Sequence, residues 1–137
     1  MKIPQLDRSS YLKGLLITAR KDNQLTESEI SIIKKFATRL GFSSDFLQET
    51  ISHLLDNKYI TEEPIKFSDA GIAKSFIEDG LKLAISDDEI GKDELSWLKE
   101  TAKANGIDQQ WVNMKMKEIQ SKPHLIGNTE FALFSLI

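Results

Sequence analysis

Glu29-Ile30-Ser31-Ile32-Ile33-Lys34-Lys35-Phe36-Ala37-Thr38-Arg39-Leu40-Gly41-Phe42 is the stretch that decides the fold. Ile30, Ile33, Ala37 and Leu40 recur at three- and four-residue steps, the spacing that lays one apolar stripe along a helix. Gly41 follows the last of them, where a helix ends most easily in the left-handed conformation. Thr26 and Glu29 form a capping box at the other end, each side chain satisfying an amide at the other's position. The same periodicity runs through Leu12, Leu15, Leu16 and Ala19, and through Leu47, Ile51, Leu54 and Leu55. It returns in Ile72, Ala73, Phe76, Ile77, Leu81 and Ala84, in Leu95, Leu98 and Ala102, and in Val112, Met116 and Ile119. Ser43, Ser68 and Asp108 are suited to N-caps. No stretch keeps the period-2 alternation of a strand, so the expected class is all-α.

Sliding the chain along itself by 65 residues brings Asp22 onto Asp87, Glu29 onto Glu94 and Gly41 onto Gly106, without a gap from Leu16 to Leu55. Identities at polar and glycine positions favour a duplication over a chance match of amphipathic hairpins. The expected architecture is therefore a single-domain bundle of about seven helices built from two pseudo-symmetric three-helix repeats. Repeat one spans about 11–56, a linker 57–67, repeat two about 68–121 and a C-terminal helix about 129–137. Pro64 breaks any helix in the linker. The nearly all-apolar Phe131-Ala132-Leu133-Phe134-Ser135-Leu136-Ile137 is expected to dock on the bundle, or else to serve as a patch for a partner or for self-association.

Composition narrows the function classes. The 137 residues are 40% hydrophobic, carry a net charge of −3 and include no cysteine. That suits one packed core and leaves no disulfide or thiolate metal site. It supplies no bulk attraction to nucleic acid or anionic membrane. No apolar run is long enough for a membrane span and the N-terminus lacks a secretory pattern, so a cytoplasmic protein is expected. Phosphate loops, zinc-protease motifs and nucleophile elbows are missing. His53 and His124 each stand alone, Ser9-Ser10 and Ser43-Ser44 read as caps, and Lys34, Lys35 and Arg39 read as a solvated face. Trp97 and Trp111 fall at core or near-core positions. The expectation is a protein that is not an enzyme.

The acidic stretches 22–29 and 87–94 are the places that could carry chemistry. In each, an Asp, an apolar residue three later and a Glu four beyond that flank a tight turn. Hard carboxylate oxygens brought together in this way suit Ca²⁺ or Mg²⁺. Neither stretch has the glycine and terminal glutamate of an EF-hand loop. First-turn carboxylates are also favoured by the helix dipole with no metal present. Arg20 and Lys21 offset all but one of Asp22, Glu27 and Glu29, whereas Asp87, Asp88, Glu89, Asp93 and Glu94 have only Lys92 against them, a net −4. The second stretch is thus the better cation candidate. A solvated acidic turn is the alternative.

Asp22-x-x-Leu25-x-x-x-Glu29 and Asp87-x-x-Ile90-x-x-x-Glu94, each followed by a helix ending in Leu40-Gly41 or Asn105-Gly106, resemble the tellurite-resistance protein B (TerB)-like superfamily. The resemblance spans Tyr11 to Ile119. It departs from the family's usual Ala-Asp-Gly loop at Lys21-Asp22-Asn23 and Ser86-Asp87-Asp88. It implies an all-α pseudo-symmetric bundle without established catalysis, found in stress- and metal-associated systems or as an accessory module. It also implies weak divalent-cation binding through Asp22 and Glu29, and through Asp87 and Glu94, with Asp88, Glu89 and Asp93 as donors particular to this chain. The rival expectation is a protein-interaction module that uses an apolar groove or the C-terminal helix and no metal. The expected state is a monomer or weak homodimer with a possible protein partner.

Overall fold

Pro4 starts the first helix: its ring holds φ in the helical range and its carbonyl accepts the first helical bond, from Arg8 N at 3.0 Å. The computed structural model describes residues 3–20, 27–56, 63–85, 92–121 and Ala132. Those residues form six helices and no strand: α1 (Gln5–Arg20), α2 (Glu27–Leu40), α3 (Ser44–Asp56), α4 (Ala70–Ile85), α5 (Lys92–Ala104) and α6 (Gln109–Gln120). The expected all-α class is observed. The helix α1 starts six residues before the apolar stripe suggested, so Ser9 and Ser10 lie inside it and are not caps. The expected seventh helix falls outside the described residues apart from Ala132. So do Thr26 of the capping box, His124, and residues 57–62 of the linker.

Helix ends follow local chemistry. Ser43 Oγ accepts from Phe46 N at 3.1 Å and Asp108 Oδ1 from Gln110 N at 2.8 Å, as the sequence suggests. At α4 the cap is Asp69, whose Oδ1 accepts from the N–H of Gly71 and of Ile72. Ser68 is instead bound by the buried Asp7 of α1, through its amide at 3.1 Å and through its hydroxyl. Gly41 (φ 91°) and Gly106 (φ 74°) take the left-handed conformation. Behind each, the turn closes alike: Phe42 N donates to Ala37 O and Ile107 N to Ala102 O, both at 2.9 Å.

The elements also recur at one interval. Gln5 and Ala70, Glu27 and Lys92, and Ser44 and Gln109 start corresponding helices 65 residues apart. At the centre α1 crosses α4, with α2 and α5 packed alongside. The crossing is close because Gly14 has no Cβ; one placed there meets Phe76 Cζ at 2.5 Å. Around that contact gather Tyr11, Phe36, Phe67, Phe76 and Trp97, with Tyr11 set edge-on to Phe76 at 5.4 Å between centroids. Buried aromatic pairs of this geometry add about 0.5–1.5 kcal/mol each beyond area burial. Trp97 is core, as expected, and Trp111 is half-buried beneath Lys74 and Lys115.

One ring changes place between the halves. In α2 the residues at the two inner turns are Ile32 and Phe36; in α5 they are Trp97 and Thr101. The bulk has moved back one turn, and Trp97 packs edge-on against Phe76 at 6.1 Å. Thr101 is left fully buried with no hydrogen-bond partner for Oγ1.

Two substitutions test this packing by denaturant unfolding. Gly14→Ala is expected to cost about 1–3 kcal/mol despite its better helix propensity, because Phe76 is wedged among three other rings and has nowhere to withdraw. Gly80→Ala is expected to cost less, since the Cβ there meets the end of the flexible Leu98 side chain. Thr101→Val removes an unpaired buried hydroxyl at constant volume and is expected to raise stability by about 1 kcal/mol.

Candidate functional site

The sequence-nominated acidic residues lie almost wholly outside what the structure describes. Asp22, Asp87, Asp88 and Glu89 are outside the described residues. Glu29 is the third residue of α2, and Asp93 and Glu94 the second and third of α5, but their side chains are also outside the description. Among the described residues no three His, Asp or Glu side chains come together where an ion could sit. Among those residues, too, no helix is long and apolar enough to cross a membrane. His53 is exposed at the end of α3.

What the described residues do bring together is a buried polar cluster in the α1–α4 crossing. Asp79 lies inside the apolar stripe of α4, one turn after Phe76 and Ser75, and it is fully buried. The Tyr11 hydroxyl, from the facing turn of α1, donates to Asp79 Oδ2 and lies 2.9 Å from Ser75 Oγ. A phenol has one proton; with that given to Asp79, the Ser75 hydroxyl must be the donor to Tyr11. The other carboxylate oxygen, Asp79 Oδ1, accepts from the backbone N–H of Ala132 at 2.7 Å.

The electrostatics follow from this burial. A carboxylate away from water is tolerated only when donors surround it, and charge-assisted bonds are the strong ones. Burial, more than any other factor, pushes the Tyr11 hydroxyl well above its ordinary pKa of 10.0, and the neighbouring Asp79 charge and hydrogen bond add to the shift. Tyr11 is thus a persistent proton donor and has no tendency to act as a base. Sealed between two helices, the cluster reaches other parts of this chain and no solvent-borne molecule. Its chemistry is to accept hydrogen bonds from chain segments that fold over it.

A second polar clamp holds the linker. Asn105 Oδ1 accepts from Phe67 N at 2.8 Å, while its Nδ2 donates to Ile65 O at 2.7 Å and to Thr101 O at 2.8 Å. On the outer side of α4, Glu78 receives Lys115 of α6 at 3.0 Å and Lys82 at 3.5 Å. The bond to Glu78 raises the Lys115 pKa. Such part-exposed pairs fix register between helices and add at most about 1 kcal/mol.

Sequence reasoning missed Asp7, Ser75, Asp79 and Asn105. A signal existed for Asp79, since an acid two residues before Leu81 and three after Phe76 stands within the apolar stripe. Comparison of the chain with protein-family models, with curated proteins and with solved structures finds no match in any of the three.

The Tyr11 shift makes a pH prediction. Because the folded pKa lies above the unfolded one, the folded chain binds more protons above pH 10, so stability is complete below that pH and falls as pH rises beyond it. Tyr11→Phe is expected to flatten the decline between pH 9.5 and 11 in urea titrations. At pH 7 the same change is expected to cost about 1–3 kcal/mol, because a buried carboxylate loses a donor.

Proposed function

We propose that this chain is a non-catalytic, TerB-like helical domain of the cytoplasm, formed by two related three-helix units. In this reading it serves as an accessory module in a stress- or metal-associated system. The acidic connection between α4 and α5 holds Ca²⁺ or Mg²⁺ weakly, and the connection between α1 and α2 holds it more weakly still.

The observation that carries the reading is positional. Glu29 and Glu94 are each the third residue of the second helix of a set, and Asp22 and Asp87 each lie in the connection before that helix. Carboxylates at both ends of a short connection are well placed to share one hard cation. The first-turn amides of the following helix add a favourable field for those carboxylates.

Two further features support the two-unit reading. The turns after Gly41 and Gly106 close with the same hydrogen bonds. Contacts across the central crossing are also reciprocal: Tyr11 reaches Asp79, and Phe76, 65 residues after Tyr11, reaches Gly14, 65 residues before Asp79. Reciprocity of that kind is what a two-fold relation imposes.

The cation reading is tested by following backbone amides by NMR while Ca²⁺ or Mg²⁺ is added. Millimolar metal is expected to shift the 87–94 amides first, and Asp87→Asn with Glu94→Gln to abolish the response. Unmoved amides at that concentration discard the cation site and leave partner docking without metal as the reading to pursue.

A further inference from the structure

Each three-helix set is followed by chain that returns to the α1–α4 crossing. After the first set, Ile65 Cδ1 comes within 3.2 Å of where a Gly14 Cβ would stand. The Phe67 ring lies 6.0 Å from Tyr11 and 5.2 Å from Phe76. After the second set, the corresponding point is Ala132, 65 residues beyond Phe67, and its amide is bonded to Asp79, 65 residues beyond Gly14. The two returns therefore meet matching places on the central pair, one on α1 and the other on α4.

Their anchoring differs. The first return runs on into α4, and Asn105 clamps its backbone in both directions at Ile65 and Phe67. The position matching Asn105 in the first set is Leu40, whose side chain has no hydrogen-bonding group. The second return instead meets a charged acceptor. Asp79 stands where the first set has Gly14, and Tyr11 and Ser75 brace it from behind.

We propose that Asp79, braced by Tyr11 and Ser75, is a receptor site for the C-terminal part of this same chain, which it holds as an intramolecular ligand through the Ala132 amide. The ligand's chemistry is that of an apolar segment presenting a backbone N–H. Residues 131–137 supply it, with six of seven side chains apolar. A charge-assisted bond in a buried setting gives the position, and apolar side chains give the affinity. The segment has a free end and the linker does not, so it is the detachable member of the pair. The proposal is independent of cation binding at the acidic connections.

Hydrogen exchange at the Ala132 amide in the full chain tests it. Wild-type protection is expected to be independent of protein concentration and to fall at least tenfold in Asp79→Ala. It is expected to persist in Tyr11→Phe, which keeps the acceptor. Amides of Ile77 and Leu81 should retain their protection in both variants, separating release of the segment from loss of the bundle. Ala132→Pro removes the donor and leaves Asp79 in place, so it serves if Asp79→Ala fails to fold; chymotrypsin cleavage after Phe134 is then expected to quicken at least tenfold. Equal Ala132 protection with and without Asp79, or equal cleavage of Ala132→Pro and wild type, overturns the proposal. Protection that disappears on dilution overturns it too, since the seat is then filled by a second copy.

Discussion

Everything in this molecule is arranged around the closeness of α1 to α4 at Gly14. Phe76 occupies the space a side chain would need there, and Tyr11 approaches α4 in the reciprocal way one turn earlier. A crossing this tight excludes water from both faces, which has two consequences. The aromatic residues around it pack edge to face and set how α2 and α5 lie against the central pair. Any polar group caught there must find its partners inside the protein, which is why Asp79 appears with Tyr11, Ser75 and the Ala132 amide around it.

The polar side chains with structural roles share one feature: each ties an irregular stretch of chain to a helix. Asp7 of α1 binds Ser68 just before α4, Asn105 after α5 binds Ile65 and Phe67, and Asp79 binds Ala132. Irregular backbone has amides and carbonyls with no helical partner, and burying them unpaired costs more than the bond later returns. Side chains placed on rigid helices supply the missing partners at fixed positions. In this way the chain between and beyond the helices takes a defined course without secondary structure of its own.

The two halves are alike in frame and unlike in filling. Helix starts, glycine turns and their closing hydrogen bonds recur at the 65-residue interval. The contents of the crossing do not: Tyr11 and Asp79 face each other on one side, Phe76 and Gly14 on the other, and Ile32 with Phe36 is exchanged for Trp97 with Thr101. A frame with this freedom permits a polar cluster on one side alone, and the C-terminal segment meets the side that has it.

Periodicity and end signals in the amino-acid sequence alone determined the six described helices, the glycine turns at Gly41 and Gly106, and the caps at Ser43 and Asp108. Those features depend on residues within a turn or two of one another, so local spacing suffices to read them. The acidic residues of 22–29 and 87–94 were equally legible as a pattern, and their proposed convergence remains a statement about sequence. Tertiary structure decided what no local pattern encodes: that Asp7 and Asp79, ordinary acids in a linear reading, are buried, and that Asn105 clamps a stretch 40 residues upstream. It also decided that Ser68 bonds to α1 while Asp69 caps α4. The reason is physical. A polar side chain is buried or exposed according to which helix crosses over it, and that follows from the packing of distant apolar stripes around Gly14.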